Sequence, residues 1–131
     1  MIALETSALI AILQNEPERD QYFEVIIDAL PALVSAVSVL EAGIVMHAKH
    51  GPDGITDLQD FLHFIEADII PFDADQARLA INAFATYGKG VRSRARLNFG
   101  DCASYALAKS RGVPLLFKGN DFVATDITPA I

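Results

Sequence analysis

Residues 2–13 read IALETSALIAIL. Ile2, Ala3 and Leu4 form an apolar run that stops at a carboxylate, Glu5. Thr6 and Ser7 follow, and then the apolar residues resume. The first run has the length of a short buried strand, and the second reads as a helix. A strand that passes straight into a helix is a βα unit, the opening of a βαβ crossover. Glu5 sits in the seam between them, where leaving a carboxylate buried and unpaired costs free energy.

The same step recurs along the chain. Pro17 marks a helix start, because its missing N–H is not needed there. The helix that follows, to about residue 30, sets Phe23, Ile26, Ile27 and Leu30 on one face at 3.6-residue spacing. This face suits the core, or an apolar groove for a partner helix or a dimer contact. ALVSA (32–36) is a second strand, and 38–50 a helix stopped by Gly51. Residues 53–67 form another helix, with Leu58, Phe61, Leu62 and Ile65 on one side. DIIPF (68–72) is a strand that Pro71 assigns to a sheet edge. A helix over 73–88 opens with Asp73 and Gln76 at capping spacing. The last helix, 99–112, is closed by Gly112; PLLF (114–117) is a strand, and a turn-rich tail follows. Strands alternating with helices predict a parallel sheet with helices on both faces.

The length, 131 residues, suits one domain spanning 1–131. Apolar residues make up 52% of the chain, which is rich for a small domain and implies apolar surface covered by an oligomer or a partner. No apolar stretch is long enough for a membrane helix, so no membrane partner is expected. The first residues lack the pattern of a secretory leader. Cys102 is the single cysteine, which excludes an intrachain disulfide and fits a cytoplasmic setting. A net charge of −7 argues against a general nucleic-acid-binding surface. Lys89, Arg92, Arg94 and Arg96 nevertheless cluster in KGVRSRAR, and Lys118 precedes a Gly-Asn-Asp turn.

Ligands of open parallel α/β sheets sit beyond the carboxyl ends of the strands. Glu5 lies at such an end. Glu41 lies in the first turn of the helix after the second strand, Asp101 in the first turn of the last helix, and Asp121 just past PLLF. Each has a structural reading. Ser38 and Glu41 fit a capping box, Asn98 and Asp101 a looser one, and Asp121 an ordinary turn. Thr6 or Ser7 fits the cap of the first helix. Taken together, four acids in one cleft repel one another and raise each other's pKa unless a cation joins them. An oxygen-only donor set suits Mg²⁺ or Mn²⁺. The matching chemistry is phosphodiester hydrolysis.

ETSALIAIL, SVLEAGIV, YGKG, LNFGDCASYALAK and PLLFKGNDF, in this order and spacing, resemble the PIN-domain ribonucleases. More narrowly, they resemble the VapC-type toxins of bacterial toxin–antitoxin pairs. The resemblance runs nearly end to end. It implies a PIN-like three-layer α/β/α sandwich around a mainly parallel sheet of four or five strands. It also implies a Mg²⁺- or Mn²⁺-dependent endoribonuclease acting on structured RNA, either tRNA or rRNA. Glu5, Glu41, Asp101 and Asp121 would be the catalytic and metal-holding acids, with Asp126 as an added ligand and Thr6 or Ser7 in support. The implied partners are a second copy of the chain and a VapB-like antitoxin with a basic tail, in a higher assembly. The family's pattern begins with Asp, in D-T-S-A-L, where this chain has Glu5. The longer arm displaces the oxygens by roughly 1.5 Å, one C–C bond. That departure supports a second reading, a catalytically weakened PIN-fold module acting through its antitoxin complex. A phosphotransfer domain ranks lower, since it needs an Asp nucleophile at this place.

Lys89, Arg92, Arg94, Arg96 and Lys118 are the candidates for RNA backbone contact. Cys102 reads as a buried small residue, and His47, His50 and His63 as ordinary helix residues.

Overall fold

The computed structural model describes residues 1–91 and 94–131. Four strands and six helices are present among them: β1 (Ile2–Leu4), α1 (Thr6–Leu13), α2 (Arg19–Asp28), β2 (Ala32–Ser35), α3 (Ala36–His50), α4 (Pro52–Phe64), β3 (Asp68–Ile70), α5 (Ala74–Tyr87), α6 (Phe99–Arg111) and β4 (Leu115–Leu116). The sheet is parallel throughout, in the order β3-β2-β1-β4. Leu4 stands beside Val34 on one side and Leu116 on the other. The tail adds an edge contact, in which the Leu115 N–H donates to Thr128 and the Ala130 N–H to Leu115.

Alternation along the strands divides the core into two layers. Ile2, Leu4, Ala32 and Val34 pack with Leu9, Ile12, Ile26 and Leu58, from α1, α2 and α4. Ala3, Leu33 and Leu115 point the other way, onto Ala83, Cys102, Ala106 and Leu107 of α5 and α6. The result is the three-layer α/β/α sandwich that the alternating pattern and the resemblance imply. β3 is an edge strand with Pro71 just beyond it, and Gly112 closes α6 in the left-handed conformation (φ 62°, ψ 38°).

Several local expectations are corrected. The second helix starts at Arg19, two residues beyond Pro17. Only part of its presumed apolar face is buried. Ile26 is fully enclosed, whereas Ile27 and Leu30 are exposed. α3 begins at Ala36 with Ser35 as its cap, so Ser38 and Glu41 form no capping box. Ser38 is instead buried against α6, its Oγ 3.0 Å from that of Ser104. Asp73 does cap α5, but the Gln76 side chain turns away to Ser110 Oγ at 2.8 Å.

Candidate metal centre

Glu5 sits where β1 ends and α1 begins. Its side chain is the N-cap of α1, a place the sequence suggested for Thr6 or Ser7. Glu5 Oε2 accepts the Ser7 N–H at 2.8 Å and the Ser7 hydroxyl as well. Ser7 Oγ in turn accepts the Lys118 N–H at 2.8 Å. This chain of bonds ties the carboxyl end of β1 to the loop after β4. Asp101 belongs to a reciprocal capping box at the start of α6. Its N–H donates to Asn98 Oδ1 at 2.9 Å, and its Oδ2 accepts the Asn98 N–H at 3.0 Å.

These two carboxyls and those of Glu41 and Asp121 line one cleft of about 360 Å³, together with Thr6, Ser7, Glu16, Asn98 and Lys118. It lies at the carboxyl ends of β1 and β4. Burial pushes the Glu5 carboxyl from 4.5 up to about 7; the Ser7 bonds oppose the rise, and Asp101 and Glu41 add to it. Burial also takes Asp101 from 3.8 up to about 6, against the Asn98 bond and with Asp121 and Glu41 adding. A further sign of a missing partner is Thr6 Oγ1, which is buried and unbonded among the described residues. Crowded acids that resist ionisation, beside an orphaned hydroxyl oxygen, fit a hard divalent cation. Among the described residues, no three His, Cys, Asp or Glu groups stand together closely enough to hold a metal ion as they are placed. Glu5 and Asp101 are each tied to a helix cap.

The other expected residues fall elsewhere. Asp126 lies outside this cleft. The Tyr105 hydroxyl donates to it at 2.6 Å and Lys109 Nζ at 2.9 Å, and these bonds hold its carboxyl below the usual range. Lys118 is at the cleft rim, but its ammonium is paired with Glu16 and, at 2.9 Å, with Glu18. Those bonds keep it charged well above its usual range. Lys89, Arg94 and Arg96 are exposed on a loop whose neck is closed by Lys89 N–H to Leu97 and Leu97 N–H to Tyr87. Arg92 lies outside the described residues. Sequence reading missed Glu16, which lines the cleft, and Asn98 as a wall of it. Cys102 is buried, and burial pushes its thiol up to about 11, which suits an inert core residue.

The family described as "PIN domain" matches residues 2–127, and the chain belongs to that family. More narrowly, its sequence places it with the VapC ribonucleases. It is 47% identical over 127 residues to "VapC ribonuclease Mb0640" of Mycobacterium bovis, covering 96% of this chain and 95% of that one. It is 44% identical over 126 residues to "Ribonuclease VapC" of Mycolicibacterium smegmatis, covering 96% and 97%. Among solved structures, Mycobacterium tuberculosis VapC20, described as a sarcin-ricin loop cleaving toxin, shares the fold. The TM-score is 0.79 at 14% identity, over 98% of this chain and 97% of that one. No helix among the described residues is long and apolar enough to cross a membrane.

Proposed function

We propose that this chain is the toxin of a type II toxin–antitoxin pair, a Mg²⁺- or Mn²⁺-dependent endoribonuclease that cuts structured RNA. The observation that carries the reading is the convergence of Glu5, Glu41, Asp101 and Asp121 in one cleft, with two of the four carboxyls resisting ionisation. These four acids would hold the ion, with Thr6 Oγ1 beside them. When bound, the ion supplies an activated water and neutralises charge at the phosphate. The Glu5 and Asp101 carboxyls would be held in their ionised form by a bound cation, against the burial that raises them. Lys118, at the rim, would reach a phosphate oxygen by exchanging its pairs with Glu16 and Glu18.

VapC20 is described as cutting the sarcin-ricin loop, which supports a looped, structured RNA, of rRNA or tRNA type, as substrate here. The exposed loop carrying Lys89, Arg94 and Arg96 steers that RNA toward the acids. Neutralising these three together is expected to weaken RNA binding and to flatten its salt dependence by up to about three counterions. An unchanged affinity and salt slope would remove the loop from the interface.

Solved relatives include a toxin–antitoxin complex from Klebsiella pneumoniae and VapBC2 from Rickettsia felis bound to promoter DNA. They support a cognate antitoxin for this chain too. A net charge of −7 suits a basic antitoxin tail. Exposed Leu40 and Ile44 on α3, and Ile81, Phe84 and Phe99 on α5 and α6, supply apolar area for a homodimer and for the antitoxin.

One observation favours a second reading, a catalytically weakened binding module. Glu5 Oε2 is already bonded to Ser7, as the cap of α1. The deciding assay is RNA cleavage by the antitoxin-free protein with Mn²⁺ or Mg²⁺, a chelator control and Glu5→Asp alongside. Chelator-sensitive cutting by the chain itself is expected. Cutting by Glu5→Asp alone would establish the second reading, and no cutting by either would defeat the nuclease assignment.

A further inference from the structure

Glu41 is delivered to the cleft from α3, and Asp101 from α6, so their relative placement depends on how closely these helices approach. The contact has two rungs. Ser38 and Ser104, both fully buried, meet through their hydroxyls at 3.0 Å. About one turn along, the Glu41 carboxylate lies directly over Gly100, in the first turn of α6. A Cβ on Gly100 would stand 2.6 Å from each Glu41 oxygen and 2.8 Å from Glu41 Cδ. Real Cβ atoms do not approach that closely, so any side chain at 100 must displace the carboxylate. Gly100 has no positive φ, so backbone freedom does not explain the glycine here. Its use is the space it leaves.

That space has an electrostatic consequence. The first turn of α6 carries the positive end of the helix dipole, and Gly100 lets the Glu41 carboxylate rest against it. Asp101, the next residue, is fixed by its capping box with Asn98. The two acids are therefore registered against the same helical turn.

We propose that Gly100 is a positioning residue for the acidic cleft: its missing side chain reserves the place of the Glu41 carboxylate and so sets Glu41 against Asp101. This rests on the metal-nuclease reading of the same cleft for its effect on activity, but the placement of Glu41 does not. The atoms that Gly100→Ala would crowd are the far end of a flexible side chain. Glu41 therefore swings away while the fold stays intact.

The test uses the full chain in three variants: Gly100→Ala, Glu41→Asp and the two combined. Gly100→Ala is expected to melt within a few degrees of the parent. It should lose about 10- to 100-fold in Mn²⁺ affinity by calorimetry and in RNA cleavage, the scale for disturbing the support of a metal ligand. In the metal-free protein, the ¹³C resonance of the Glu41 carboxyl should shift. Glu41→Asp alone should also weaken Mn²⁺ binding. In the Gly100→Ala background its shorter arm should restore part of what was lost. Rescue of this kind distinguishes positioning from general damage. An unmoved Glu41 resonance, or equal losses from Glu41→Asp in both backgrounds, would overturn the proposal. If the parent neither binds Mn²⁺ nor cuts RNA, the nuclease reading fails, and the Glu41 resonance still decides the role of Gly100.

Discussion

Asp101→Asn is expected to abolish most RNA cleavage while leaving the fold as stable as before, or more so. The usual concern with such a variant is that it removes a structural group, and Asp101 does have a structural task. Its N–H donates to Asn98 Oδ1, and its Oδ2 accepts the Asn98 N–H. An asparagine keeps both bonds, because its backbone N–H is unchanged and its amide oxygen accepts as the carboxylate did. What it removes is charge. Asp101 is buried, and it faces Asp121 and Glu41 in a setting that already pushes its carboxyl up to about 6. Removing a desolvated like charge relieves the fold. The same change takes a ligand from the ion and costs on the order of 100- to 1,000-fold in rate, the scale for losing one preorganised charge-stabilising group. Single-turnover cleavage and a thermal melt on the same preparation check both halves. Cleavage at the parent rate would move the active site elsewhere. A collapsed melt would show that the capping box needs the charge.

Opposed effects on stability and activity at one residue are what a functional site produces, and they bear on what the sequence made legible. The alternation of apolar runs with helical periodicity carried the sheet and its two helical layers. Pro71 at an edge and Gly112 at a helix end were readable because each restricts the backbone in one known way. The four acids were readable as a set, because their places after β1, after β4 and near the starts of α3 and α6 project to one end of a parallel sheet. The finer assignments depended on tertiary neighbours. Ser35 and Ser38 are equally good caps in isolation, and Ser104 decides between them by burying Ser38. Glu5 was not recognised as a cap because shorter side chains usually serve there, yet its longer arm reaches the Ser7 N–H. Asp126 sits in the same acidic tail as Asp121, and only the positions of Tyr105 and Lys109 separate their roles. Gly100 has no local signal, since its meaning is a carboxylate that arrives from a helix about 60 residues earlier.

Burial of the cleft carboxyls, with their neighbouring acids adding to it, gives the metal-free protein an inverted pH dependence, with stability falling as pH rises from about 4.5 to above 7. The sign follows from Glu5. Its carboxyl titrates at about 7 in the fold against an ordinary 4.5, so within that window the folded state binds more protons than the unfolded state, and stability declines with pH. The contribution is fully present below 4.5 and is lost as pH passes through about 7. A rise of that size corresponds to roughly 3 kcal/mol. Asp101, moved from 3.8 to about 6, acts in the same direction over a lower window. Asp126 acts in the opposite sense. Its carboxyl is held below 3.8 by Tyr105 and Lys109, so its contribution is present above that value and lost only in stronger acid. The metal-free chain should therefore melt highest near pH 4 and less well at each step above it. A divalent cation reverses the trend, because it binds the ionised carboxyls and stabilises the fold by about 2.7 kcal/mol at one hundred times its dissociation constant. Melting curves from pH 5 to 8, in chelator and in Mn²⁺, should diverge as pH rises. Glu5→Gln should flatten the chelator curve, since it removes the largest titration. Stability that climbs toward pH 8 in chelator would mean that these carboxyls are solvated, and the physical case for a cation in this cleft would go with them.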